Sequence, residues 1–301
     1  MFTKFTKIIF FIIGLLNVAS PMMGYCSSEE QGWQLGSFKR VDELNPILKP
    51  LADSLFYCPV QKKNVCWESK HTFNPAAVVR NGKVYLFYRA EDEYGDGIGM
   101  HTSRLGLAVS EDGINFKRKK KPVFFPKLDN QMSHEFPGGC EDPRIVETEK
   151  GTYVMTYTQW NRKIAVLGIA TSRDLIHWKK HGYAFKRSLK GKRTWSKSGS
   201  IVCRRKGDRL IATKIQGKYW MYCGEGQVNI ATSDDLISWD YVSKNGTPIA
   251  VLETRSEKFD SSLVECGPPA ILTQDGIILL YNGKNALENG DPLIRPNSYS
   301  A

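Results

Sequence analysis

Ala108-Val-Ser-Glu-Asp-Gly-Ile-Asn-Phe116, Ala170-Thr-Ser-Arg-Asp-Leu-Ile-His-Trp178 and Ala231-Thr-Ser-Asp-Asp-Leu-Ile-Ser-Trp239 are three versions of one nonapeptide, starting 62 and then 61 residues apart. Each reads as a strand end, a polar Ser/Asp turn, and an aromatic that plugs the next strand. Upstream of the copies lie aromatic-tipped runs, Tyr85-Leu-Phe-Tyr88, Tyr153-Val-Met-Thr-Tyr157 and Tyr219-Trp-Met-Tyr222; a fourth, Ile277-Ile-Leu-Leu-Tyr281, has no nonapeptide after it. The runs are apolar on both faces, as strands sandwiched between neighbouring sheets are. A repeat of this size holding several short strands is what a β-propeller blade requires. The competing arrangement is a two-layer sandwich with accidental self-similarity. The expectation is an all-β, five-bladed β-propeller whose C-terminal blade is incomplete, because the fourth unit opens near Leu263 and the sequence stops at Ala301.

Composition agrees with a turn-rich β protein. Aromatics reach 11%, with 26 Gly and 14 Pro, while 41% hydrophobic and 24% charged residues exclude wholesale disorder. A formal charge of +11 raises the question of an acidic partner. Much of it sits in Lys117-Arg-Lys-Lys-Lys121 and in the stretch Lys186, Arg187, Lys190, Lys192 and Arg193, both expected in surface loops. The N-terminus argues against nucleic acid as that partner. Lys4 and Lys7 precede the apolar run Ile8–Leu16, which has the length of a signal-peptide core and is too short for a membrane span of roughly 20 residues. Residues 1–26 are therefore read as a secretory signal and 27–301 as the propeller domain, secreted or periplasmic, with no membrane span after cleavage; an uncleaved anchor is the alternative. Lipid anchoring at Cys26 is disfavoured because Tyr25, not a small residue, precedes it. Seven cysteines match no zinc spacing. Cys58 and Cys66 are close enough in sequence to pair, and the rest read as small buried hydrophobes.

In a propeller the first strand of every blade lines the axis, so polar residues at its ends converge on a shared pocket. Asn74-Pro75 lies 11 residues before Tyr85 and Asp142-Pro143 lies 11 before Tyr153, which makes them equivalent. The proline after each is expected to bias the polar residue to an extended backbone. Lys197-Ser-Gly-Ser200 opens the third unit and Glu265-Cys-Gly-Pro-Pro269 the fourth; Arg89 with Glu91 and Asp92, Glu225 and Asn282 mark the far strand ends. Carboxylates Asp142, Glu225 and Glu265 converging with Arg89 and Lys197 suit glycoside hydrolysis, in which one acid protonates the leaving oxygen and another carboxylate activates water. Each is also readable as a strand-end charge satisfied by a neighbouring turn, and Glu141 as a brace for Arg144.

Phe73-Asn-Pro-Ala-Ala77, Tyr88-Arg-Ala-Glu91, Gly138-Gly-Cys-Glu-Asp-Pro-Arg-Ile145, Trp195-Ser-Lys-Ser-Gly-Ser-Ile201 and Glu265-Cys-Gly-Pro-Pro269 together resemble glycoside hydrolase family 130. That family consists of five-bladed propellers acting on β-mannosides, as phosphorylases or as β-1,2-mannosidases. The resemblance implies that Asp142 is the catalytic acid, donating its proton through a sugar hydroxyl. It also implies that Asn74 and Arg89 hold the mannose before the scissile bond, with Arg104 and Lys197 near the same pocket; Glu141, beside Asp142, is counted with them as a substrate-binding candidate. Where the phosphorylases carry a basic residue, this chain has Ile164-Ala-Val-Leu-Gly-Ile169, and where they show Tyr-His-Gly it has Tyr281-Asn-Gly283. Holding phosphate calls for fixed basic donors. The pattern thus resembles the hydrolytic branch: an inverting exo-β-mannosidase acting on β-1,2-linked mannosides, with Glu225 or Glu265 as base and no metal or organic cofactor. A mannose 1-phosphate-forming phosphorylase and a non-catalytic glycan-binding propeller are the alternatives.

Overall fold

The three nonapeptides fold into the same turn, held by the same atoms. Ser110, Ser172 and Ser233 each accept from the backbone N–H three residues on, at 2.9 Å in every copy. Asp112, Asp174 and Asp235 each accept two further N–H groups from the last residues of the loop. These bonds satisfy a turn whose sixth residue, Gly113, Leu175 or Leu236, has φ between +65° and +75°. The aromatics then plug the fold as expected: Trp239 is fully buried, and Trp178 packs edge-on against Phe87 with centroids 5.7 Å apart.

The computed structural model describes residues 41–300 apart from 98 and 189, so the segment read as a secretory signal and Cys26 lie outside the described residues. A hairpin, β1 (Leu55–Cys58) and β2 (Lys63–Cys66), comes first. The first sheet is β3 (His71–Arg80), β4 (Lys83–Glu91), β5 (Ser103–Ser110) and β6 (Lys117–Arg118), paired antiparallel in that order. The second repeats it with β7 (Gly139–Glu147), β8 (Tyr153–Trp160), β9 (Ala165–Ser172) and β10 (Lys179–Tyr183). In the third, β11 (Ser200–Lys206) pairs first with β14 (Lys218–Cys223) and then with β12 (Arg209–Ala212); β13 (Lys214–Ile215) completes the turn, and β15 (Gln227–Ser233) and β16 (Asp240–Tyr241) follow. A small hairpin, β17 (Ser243–Lys244) with β18 (Thr247–Pro248), leads to β19 (Ala250–Glu253), which returns to β15. In the fourth unit each long strand is split: β20 (Leu263–Cys266) and β21 (Ala270–Leu272) pair with β23 (Tyr281–Lys284) and β22 (Ile277–Ile278), and β24 (Tyr299–Ser300) adds to β23.

The cores lie between consecutive sheets. Phe87, Leu105 and Leu107 of the first meet Met155, Tyr157 and Ala170 of the second. Val166 and Ile169 of the second meet Ile201, Met221 and Trp239 of the third, and Val202 and Val228 of the third meet Val264 and Tyr281 of the fourth. Side chains alternate across strands that are covered on both faces, which is why the aromatic-tipped runs lack a polar face. Short parallel contacts join neighbours, Ser103 to Gly139 and Val202 to Ala270. Gly139 is required there, since a Cβ would stand 2.2 Å from the Ser103 carbonyl oxygen. The repeat extends to packing detail: Tyr88 lies over Gly106 and Tyr157 over Gly168, its cross-strand partner in each case.

The expected Cys58–Cys66 pairing is not made. Register places Cys58 opposite Lys63 and Cys66 opposite Leu55, at opposite ends of the hairpin, and both thiols are free. Cys140, Cys203, Cys223 and Cys266 are buried, as anticipated. The basic runs are partly spent internally: Arg118 donates to Glu68 at 2.7 Å and Arg187 is paired with Asp240. No helix among the described residues is long and apolar enough to cross a membrane.

Candidate active site

The first strand of each of the first two sheets breaks register at its Asn/Asp-Pro pair, between Phe73 and Ala76 in β3 and between Glu141 and Arg144 in β7. Asn74 (φ +43°) and Asp142 (φ +49°) take left-handed backbone, and Ser198 (φ +59°) does so just before β11. The extended conformation expected from the following prolines is therefore wrong. The bulge overrides the local proline bias, and Asn and Asp are the residues that tolerate it best. Its effect is to aim the side chains at one another. Asn74 Nδ2 donates to Asp142 Oδ1 at 2.8 Å, and Arg89 Nη1 donates to the same oxygen at 3.1 Å.

Lys197 supplies the centre. Its Nζ lies 3.5 Å from Asp142 Oδ2, 3.4 Å from Glu225 Oε1 and 3.4 Å from Glu265 Oε1. Glu225 and Glu265 face each other across an isolated antiparallel bridge. Trp195 donates its indole N–H to Glu225 at 3.1 Å, and Ser198 Oγ donates to Glu265. Arg144 braces the opposite wall through the carbonyls of Asp142, Cys266 and Gly267, 3.8 Å from Glu265.

Arg89 organises a second carboxylate group. Its Nη2 lies 2.6 Å from Glu91 and 2.8 Å from Glu141, while its Nε donates to Ser103 Oγ, whose single proton is within reach of both Glu91 and Glu141. The Arg144 brace anticipated for Glu141 is thus replaced by Arg89, because the bulge at 142–143 sends Arg144 toward the fourth sheet. Burial pushes the Glu141 carboxyl up to about 7; Arg89 opposes the rise and the Asp142 charge adds to it. Burial also works against ionised Asp142, but Arg89, Lys197 and Asn74 outweigh it and hold that carboxyl below the usual range. The ammonium of Lys197 is held charged against burial by Asp142, Glu265 and Glu225.

Seven of the eight residues expected at the site meet in this cluster: Asp142, Glu225, Glu265, Asn74, Arg89, Glu141 and Lys197. Arg104 does not. Its guanidinium is fully buried against Asp92 Oδ2 at 2.7 Å, the Thr102 carbonyl and Cys58 Sγ at 3.7 Å. Adjacent residues on a strand point to opposite faces, so Ser103, its neighbour, turns to the site and Arg104 away. Ser103 escaped sequence reading, although its register position opposite Glu91 signals it. Tyr299 escaped as well; burial together with Glu265 and Glu225 pushes its phenol up. Val166 faces the core rather than the pocket, and Asn282 stands opposite Glu265.

Comparison with known proteins gives concordant results. The family model described as β-1,4-mannooligosaccharide phosphorylase, of glycoside hydrolase family 130, matches residues 38–291. A 1,2-β-oligomannan phosphorylase of Thermoanaerobacter sp. is 35% identical over 245 residues, 78% of this chain and 71% of that protein. A solved structure from Parabacteroides distasonis is 53% identical with a TM-score of 0.86, covering 90% of this chain and 78% of that one. Another, 52% identical with a TM-score of 0.86 over 89% of this chain and 76% of that one, comes from work reporting that this family of mannoside phosphorylases contains glycoside hydrolases that target β-1,2 mannosidic linkages in Candida mannan. The matched span covers most of the chain and includes every residue of the cluster, and the chain belongs to glycoside hydrolase family 130.

Proposed function

We propose that this protein is a secreted, inverting exo-β-mannosidase on a five-bladed propeller, hydrolysing β-1,2-linked mannosides of mannan-type glycans. One observation carries the reading: Asp142, Glu225 and Glu265 all stand within 3.5 Å of Lys197 Nζ. Oxygens so placed are at most about 7 Å apart, which reaches the lower end of the acid–base separation of inverting glycosidases, roughly 6.5–9.5 Å. Asp142 acts as the acid, Glu225 or Glu265 as the base that activates water, and Asn74, Arg89 and Glu141 position the sugar. The proton for the leaving group is held by the adjacent Glu141 and Asp142 carboxyls, on Glu141 at pH below about 7. Substrate hydroxyls entering between Lys197 and Asp142 weaken the contacts that keep Asp142 ionised and let it take up that proton.

Phosphorolysis needs a cation free to hold phosphate beside the anomeric carbon. Arg89, Arg144 and Lys197 are each engaged by carboxylates or carbonyls, and Glu225 and Glu265 present negative charge where the phosphate would lie. The apolar run at Val166 and the amide of Asn282 add no basic donor. The phosphorylase reading is favoured instead by the names of the 35% and 30% identical relatives. Proton NMR of β-1,2-mannobiose cleavage in phosphate-free buffer tests the proposal. Mannose released first as the α-anomer supports it; no release, or release as the β-anomer, overturns it.

A further inference from the structure

His71 and Glu91 are direct cross-strand partners of β3 and β4, and Glu91 is in turn opposite Ser103 at the start of β5. His101 lies two residues before that start, so three strand ends bring two imidazoles and a carboxylate together. One ligand atom from each of the three residues lies within 4.8 Å of the others. His71 Nδ1 is 2.9 Å from Glu91 Oε2, and the two rings pack edge-on at 5.4 Å. His101 is only 5% exposed, and its buried Nδ1 has no hydrogen-bond partner. Buried polar atoms are almost always satisfied, so an unpartnered imidazole nitrogen beside a second imidazole and a carboxylate calls for a ligand.

We propose that His71, Glu91 and His101 bind a transition-metal dication of the zinc class, at a site next to the mannoside cluster and independent of the hydrolase assignment. Two imidazoles and one carboxylate suit zinc and its neighbours, whereas Ca²⁺ and Mg²⁺ prefer all-oxygen shells. Zinc–ligand distances near 2.1 Å place tetrahedral ligand atoms roughly 3.4 Å apart, so the trio has to contract. His71 permits this, since its side chain is half exposed. Glu91 is already aimed: its other oxygen is held by Arg89 Nη2 at 2.6 Å and Ser103 Oγ at 3.1 Å, the kind of outer support that orients metal ligands. The Arg89 charge is offset locally by Glu141 and Asp142.

The test uses the whole chain, stripped with chelator and titrated with ZnCl₂ by calorimetry and thermal melting. One equivalent bound at micromolar or tighter affinity, with a rise in Tm that Mg²⁺ and Ca²⁺ do not reproduce, is expected. His71→Ala, at a half-exposed position that leaves the core intact, and His101→Asn each weaken zinc binding by about tenfold or more. Co²⁺ gives visible d–d absorption without a thiolate band in the wild type, and this is lost in both variants. No zinc uptake below about 100 μM, or uptake unchanged in His71→Ala, overturns the proposal.

Discussion

Asn74 Nδ2 donates a 2.8 Å hydrogen bond to Oδ1 of Asp142, joining two equivalent bulges that lie 68 residues apart in the chain. The amide offers a donor to the same oxygen that Arg89 holds, so it fixes both the orientation and the charge of the candidate acid. Hydrogen bonds to charged groups are worth about 1.5–3 kcal/mol, so Asn74→Ala lowers kcat/KM on β-1,2-mannobiose by roughly 10- to 100-fold. Asn74→Asp lowers it further, since it places a second carboxylate against Asp142. An unchanged kcat/KM in Asn74→Ala removes Asn74 from the machinery.

Glu141 sets a pH dependence of stability. Burial raises its folded-state pKa to about 7, above the ordinary glutamate value of 4.5. Its contribution is therefore complete below pH about 4.5 and is lost as pH rises through about 7. Depressed Asp142 acts in the opposite sense and at lower pH, where its stabilisation is lost as pH falls. Thermal melts between pH 4.5 and 7 show the Tm of the wild type falling relative to Glu141→Gln. Parallel curves contradict the raised carboxyl.

Lys197 contacts three carboxylates at once, with its side chain 14% exposed. Lys197→Met removes the one cation that all three share, leaving Asp142 to Arg89 and Glu265 to Arg144, at a cost of about 3–5 kcal/mol for a broken buried ion pair. Chemical denaturation measures the loss. Adding the second change Glu265→Gln restores part of it, because the residual repulsion falls; no recovery means that the Glu265 contact carries little weight.

The turns, the strands and the meeting of Asn74 with Asp142 were legible because each rests on local chemistry repeated at fixed spacing. Ser110, Ser172 and Ser233 make their bonds within five residues, so the nonapeptide encodes its own geometry. The 11-residue offset to Tyr85 and Tyr153 likewise sufficed to align the two bulges. The left-handed backbone at Asn74 and Asp142 was hidden because a strand bulge, a tertiary feature, defeats the local rule for residues before proline. Arg104 was misplaced by one residue of alternation, and Glu141 was assigned the arginine nearest in sequence rather than Arg89, 52 positions away. The histidine pair was invisible because cross-strand register, not chain spacing, brings His71 to Glu91 and His101.

Packing across the repeat yields a stability prediction. A Cβ at Gly168 would stand 2.7 Å from two ring atoms of Tyr157, which is fully buried and anchored by its hydroxyl to Glu135 at 2.8 Å. The ring has nowhere to move, so Gly168→Ala costs about 1–3 kcal/mol in denaturant unfolding. The same change at exposed Gly207, where a Cβ meets nothing within 4 Å but φ is +64°, separates backbone strain from overpacking. Equal costs at the two sites contradict the Tyr157 contact as the cause.

In the proposed reaction water, not phosphate, attacks the mannoside between Asp142 and the paired glutamates. The most direct measurement is the product ratio from β-1,2-mannobiose across a titration of inorganic phosphate from none to excess. Free mannose at a rate independent of phosphate, with no mannose 1-phosphate at any concentration, is the predicted result. Mannose 1-phosphate appearing in proportion to phosphate, with no cleavage in its absence, overturns the hydrolytic proposal.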